Sequence, residues 1–143
     1  ADDHFQRIAA RFYKGFPLYQ VHLGSYILRV RPRFQEGTLV EIALRFRERA
    51  SSNEVDPVIY KQLRFGLKTL SARFGKPDKT LLRIPDIDPR DFKDGGRVPT
   101  HQWSRGDRSA QLVLWRDGFT YGAEIVLAEK HARVPAQSPA DAF

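Results

Sequence analysis

The sequence predicts an α+β fold: an antiparallel sheet of about five strands packed on one long helix, with a short N-terminal helix, in the order α-β-β-α-β-β-β. Three observations carry this. Residues 26–34 and 39–47 alternate apolar and basic side chains with the period of two expected of half-buried strands. Residues 57–74 repeat apolar side chains at helical spacing between a proline start and a glycine stop. Residues 98–129 form three further runs, separated by the turn-like Ser104-Arg105-Gly106-Asp107 and by Asp117-Gly118. Strands and helices fall in separate blocks, which favours an antiparallel sheet over a parallel one.

Residues 2–14 predict the short helix, with Asp2 or Asp3 as its cap, Gly15 as its end and Phe5, Ile8, Ala9 and Phe12 on one face. Gly15-Phe16-Pro17 breaks that pattern, and the weak alternation of residues 18–23 suits a short edge strand. A loop centred on Glu36-Gly37 joins the next two strands. Placing Phe34 opposite Val40 sets Val30 against Leu44, Leu28 against Phe46, Arg33 against Glu41 and Arg29 against Arg45. Pro32 cannot donate to a ladder, so its strand lies at an edge or carries a bulge.

Asp56-Pro57 is a strong helix start. The helix runs to Phe74 and stops at Gly75, with Pro77 beyond it. Ile59, Leu63, Leu67, Leu70 and Phe74 make its core stripe, and Lys61, Arg64 and Lys68 lie opposite. Residues 77–99 hold four prolines and an acidic run, and read as a long irregular connection of the kind that is functional or mobile. The Asp117-Gly118 hairpin is expected to pair Leu114 with Tyr121, Leu112 with Ala123 and Ala110 with Ile125. Residues 1–132 make one domain, and the Pro/Ala/Ser-rich tail 133–143 is expected to be disordered.

The 143 residues carry a net charge of +7. Residues 1–76 contain 14 basic and 7 acidic side chains against 10 and 10 in residues 77–143, so all the excess lies in the first part. The chain has no cysteine, which excludes disulfides, thiolate metal sites and cysteine nucleophiles. No stretch approaches the roughly 20 apolar residues of a membrane span. With no methionine and an Ala-Asp-Asp start, the chain reads as a periplasmic or secreted protein whose signal peptide has been removed.

Arg29, Arg31 and Arg33 share one sheet face with Arg45 and Arg47, with Glu41 orienting Arg33. Arginine forks bind carboxylates and phosphates bidentately. The bland alternative is a solvated strand face. Phe65 lies off the main helix stripe and Trp115 points away from the Leu112/Leu114 face. Either, if exposed, would add an aromatic contact to a partner surface, and burial in a second small core is the alternative.

No pattern for catalysis or metal binding is found. Asp86, Asp88, Asp91 and Asp94 fail calcium-loop spacing, because Arg90, Asp91 and Arg97 stand where the fifth, sixth and twelfth positions require other residues. His4, His22, His101 and His131 are scattered. Arg105-Gly106-Asp107 reads as turn chemistry.

The expectation is therefore a non-catalytic exported binding domain without metal or cofactor. It would recognise an acidic protein partner through the arginine face, as an inhibitor or immunity-type protein or an envelope-assembly accessory. Binding of a polyanion or nucleic acid is the alternative, and a small hydrolase with residues 77–99 as a lid is a second.

Overall fold

A computed structural model of the chain describes residues 19–129. The predicted helix over 2–14 and the tail 133–143 lie outside them. The fold is α+β, with seven strands where about five were expected. They are β1 (Tyr19–Leu23), β2 (Tyr26–Gln35), β3 (Thr38–Phe46), β4 (Lys79–Thr80), β5 (Arg97–Arg105), β6 (Arg108–Asp117) and β7 (Thr120–Glu129). All belong to one antiparallel sheet in the order β1-β2-β3-β7-β6-β5-β4. β1 is the weakly alternating segment before the first strong strand. β4 has only two residues, too few for any periodic signal, and exists through its pairing with Gln102 and His101.

Both hairpins owe their register to their turns. Glu36 (φ 52°) and Gly37 (φ 79°) are both left-handed, as a two-residue type I′ connection requires. The expected pairs Leu28–Phe46, Arg29–Arg45, Val30–Leu44 and Arg33–Glu41 all form. Phe34 pairs with Leu39 instead of Val40, because the register shifts just beyond Pro32, between Arg33 and Phe34. In the second hairpin the central residues are Gly118-Phe119, not Asp117-Gly118. Gly118 (φ 62°) takes the first central position, which favours glycine in a type II′ turn. Leu114 therefore faces Ala123, Leu112 faces Ile125 and Ala110 faces Leu127. The shift is two residues, so every side chain keeps its predicted face.

A helical segment, residues 52–74, crosses one face of the sheet. It opens with a 3₁₀ turn, widens to a π-helical turn over Val55–Tyr60 around Pro57, and becomes the regular helix α1 (Lys61–Phe74). The wide turn brings Val55, Ile59 and Tyr60 into the core together. Leu63 and Leu70 continue the predicted stripe, while Leu67 and Phe74 are only half-buried. Gly66 lets the helix approach closely, since a Cβ there would meet Leu112 Cδ1 at 2.6 Å.

Residues 77–99 are a packed wall. Ile84, Ile87 and Phe92 are buried in the core. Tyr60 and Tyr121 donate their hydroxyls to the carbonyls of Ile87 and Pro89, and Arg116 donates to that of Phe92. Among the described residues no helix is long and apolar enough to cross a membrane.

Candidate functional site: an arginine groove on the open sheet face

The face away from α1 carries the arginines, and β3 and β7 decide how they are used. Their pairing sets Arg45 opposite Glu124 and Glu41 opposite Ala128. Glu124 is 1 % exposed, and its two oxygens are divided between two guanidiniums. Arg45 Nε donates to Oε2 at 3.2 Å and Arg97 Nε to Oε1 at 2.7 Å. The Arg45 guanidinium also lies 4.3 Å over the Trp115 ring. Trp115 can lie flat there because its cross-strand neighbour is Gly122, where a Cβ would come within 2.1 Å of the indole.

Arg45 is thus held from two sides, by Glu124 and by the Trp115 ring. Burial holds its pKa below the usual arginine value, Glu124 opposes that shift, and Arg31 adds to it. An arginine keeps its charge through such a shift. A second clamp lies two rows away, where Arg33 Nε donates to Glu41 Oε2 at 2.6 Å across the β2–β3 hairpin. The expected Arg33–Glu41 pair is therefore present, with Glu41 4 % exposed.

Arg29, Arg31 and Arg47 are different. They are exposed, and none has a carboxylate within ion-pair distance among the described residues. Arg29 stands directly across from the clamped Arg45. Together with Arg49, which the sequence reading did not single out, they line a groove of about 590 Å³ shared with Gln20, Val30, Arg45 and Phe46. Among the described residues no acidic side chain lines it. The five arginines proposed from sequence thus fall into two groups. Arg33 and Arg45 are held in buried-acid pairs, whereas Arg29, Arg31 and Arg47 face the groove.

Two proposed contact residues are corrected. Trp115 is 4 % exposed and serves as a platform under Arg45. Phe65 is half-buried on the helix side of the sheet, packed on Tyr26 at 4.6 Å and Phe46 at 6.3 Å between ring centres. It therefore cannot share a contact surface with the arginines. Glu124 and Arg97 were missed. The available signal was Glu124 itself, an acid inside the otherwise small and apolar run Gly-Ala-Glu-Ile-Val.

The acidic loop and the Arg105-Gly106-Asp107 turn make local contacts. Asp88 accepts from the backbone N–H of Arg90 at 3.0 Å, and its bonds to Arg90 hold its carboxyl below the usual range. Among the described residues no group of three or more His, Asp or Glu side chains could hold a metal ion. Arg105 of the Arg-Gly-Asp turn donates to the carbonyls of Phe74 at 2.9 Å and Lys76 at 3.1 Å, closing the end of α1.

Fold and site together define the class: an α+β domain with one helix-covered sheet face and one cationic, grooved face. Comparison with protein-family models, with curated proteins and with solved structures finds no match to this chain.

Proposed function

We propose that the chain is a non-catalytic binding domain that recognises an acidic protein partner through its arginine groove, as an inhibitor or immunity-type protein or an envelope-assembly accessory. One observation carries this reading. Arg29, Arg31, Arg47 and Arg49 converge with Arg45 on one groove whose lining, among the described residues, contains no acid. On the same face Arg33 is matched to Glu41, and Arg45 itself shares buried Glu124 with Arg97. Like charges placed directly across strands are unfavourable, and Arg29 opposite Arg45 is such a pair. Partner carboxylates would relieve that repulsion and add charge-assisted, bidentate hydrogen bonds. Among the described residues the lining offers no exposed ring on which a base could stack, since Phe46 is 1 % exposed, and this sets an acidic protein ahead of single-stranded nucleic acid.

The test compares capture of proteins from extract of the source cells by wild type and by the Arg29→Glu/Arg31→Glu/Arg47→Glu variant. Arg45 is left intact, because a carboxylate there would face buried Glu124. An acidic protein retained by wild type and lost by the variant is the expected result. The same proteins retained equally by both would reject the reading.

A further inference from the structure

We propose that the partner supplies an extended segment that adds as a further strand along the outer edge of β1, with acidic side chains at alternate positions over the arginine groove. This rests on the binding reading above and specifies its ligand: a strand alternating Asp or Glu with apolar residues.

The sheet has two edges, and they are finished differently. At β4 the edge strand is only two residues long, and its flanks pair inward with β5, Asp78 N–H donating to the Gln102 carbonyl and Leu81 N–H to that of Thr100, both at 2.8 Å. At β1, five residues long, no strand among the described residues pairs with the outer side. Its sequence, Tyr-Gln-Val-His-Leu, holds neither the lysine nor the proline that commonly protects an edge.

The ladder tells which backbone groups of β1 point away from β2. Leu23 and Tyr26 close a two-residue hairpin over Gly24-Ser25, and hydrogen-bonded pairs alternate from there. Leu23 and Val21 therefore turn their amides toward β2, and Gln20 and His22 turn theirs outward. An independent contact agrees. The Ile27 carbonyl accepts from Arg47 N–H at 2.9 Å, so Ile27 faces β3 and its partner His22 faces away from β2.

The side chains supply the specificity. Gln20 and His22 are exposed on the arginine face, Gln20 pairs with Arg29, and Gln20 lines the groove. Val21 and Leu23 point to the other face, buried and half-buried. A strand added beside Gln20 would lie two strand spacings, about 10 Å, from the Arg29 backbone, a gap that a glutamate and an arginine side chain span together. Its alternate residues would lie beside Val21 and Leu23, where apolar side chains fit. Main-chain pairing would give affinity and the alternating side chains selectivity, as in other strand-addition complexes.

The test uses two synthetic octapeptides of identical composition and charge, alternating Glu-Val and the block isomer with four Glu followed by four Val. Binding to the full chain is followed by fluorescence anisotropy. The alternating peptide should bind at least tenfold more tightly, and the Arg29→Glu/Arg31→Glu/Arg47→Glu variant should lose that preference. N-methylation of one alternate set of peptide amides should abolish binding, while methylation of the other set is tolerated. Equal affinities for the two isomers, no binding of either, or equal effects of the two methylation sets would overturn strand addition. Dependence of the captured partner on Arg29, Arg31 and Arg47 is read separately, so strand addition can fail while the binding reading stands.

Discussion

Glu124 is the residue on which the cationic face is organised. It is buried, and both of its oxygens are occupied by arginines from strands on either side. Removing one member of a buried ion-pair network leaves the other charges uncompensated, so Glu124→Gln should lower stability by about 3 kcal/mol, read from urea unfolding. Gly122→Ala should cost about 2 kcal/mol, because its new Cβ would occupy the indole of Trp115. A loss no larger than that of a surface substitution in either variant would contradict the clamp. The Arg33–Glu41 pair could be read from the sequence because it lies within one hairpin, where turn and alternation fix the register. The Arg45–Glu124 pair could not, since it joins residues 79 apart across the β3–β7 junction, and no local pattern encodes which hairpins meet. For the same reason Trp115 was offered as a contact residue and is in fact a platform.

At the scale of elements, the strongly periodic segments were legible and the aperiodic one was not. The second hairpin kept its predicted faces, the first kept its predicted register as far as Arg33, beyond which Phe34 is 42 % exposed, and the long helix kept its buried residues Ile59, Leu63 and Leu70. Its start was harder to read, because Pro57 sits inside a wide turn instead of opening a regular helix. Residues 77–99 were read as a connection because prolines and aspartates dominate their composition. Three widely spaced apolar residues, Ile84, Ile87 and Phe92, nevertheless pin the segment to the core. Phe92 is fully buried, so Phe92→Ala should destabilise the whole fold by about 4 kcal/mol, with a single cooperative transition by both fluorescence and circular dichroism. A separate early transition would indicate a wall that opens independently. Asp86 is exposed, so Asp86→Asn should leave the midpoint within about 0.5 kcal/mol of wild type.

Across the whole molecule, the fold separates its charge from its core. The helix-covered face holds the apolar cluster, and Arg29, Arg31, Arg45, Arg47 and Arg49 gather at the groove on the opposite face. One buried histidine gives the fold a pH dependence of its own. Burial lowers the pKa of His101 below its ordinary 6.5, so the folded state resists a proton that the unfolded chain accepts. Its contribution is fully present above pH 6.5 and is lost as pH falls from there through the lowered folded value. The fall in Tm between pH 7.5 and pH 5 should therefore be smaller in His101→Gln, and an unchanged fall would assign the effect to other groups.

The central claim concerns where the cationic surface acts, and one titration tests it directly. Affinity of the captured acidic protein is measured for wild type, for Arg29→Glu/Arg31→Glu/Arg47→Glu, and for Lys61→Glu/Arg64→Glu/Lys68→Glu on the exposed side of α1. The two variants have the same net charge. Recognition through the groove predicts a loss of about 100-fold or more for the first and little change for the second. Equal losses in both would mean that net charge alone attracts the partner, and would contradict a dedicated site.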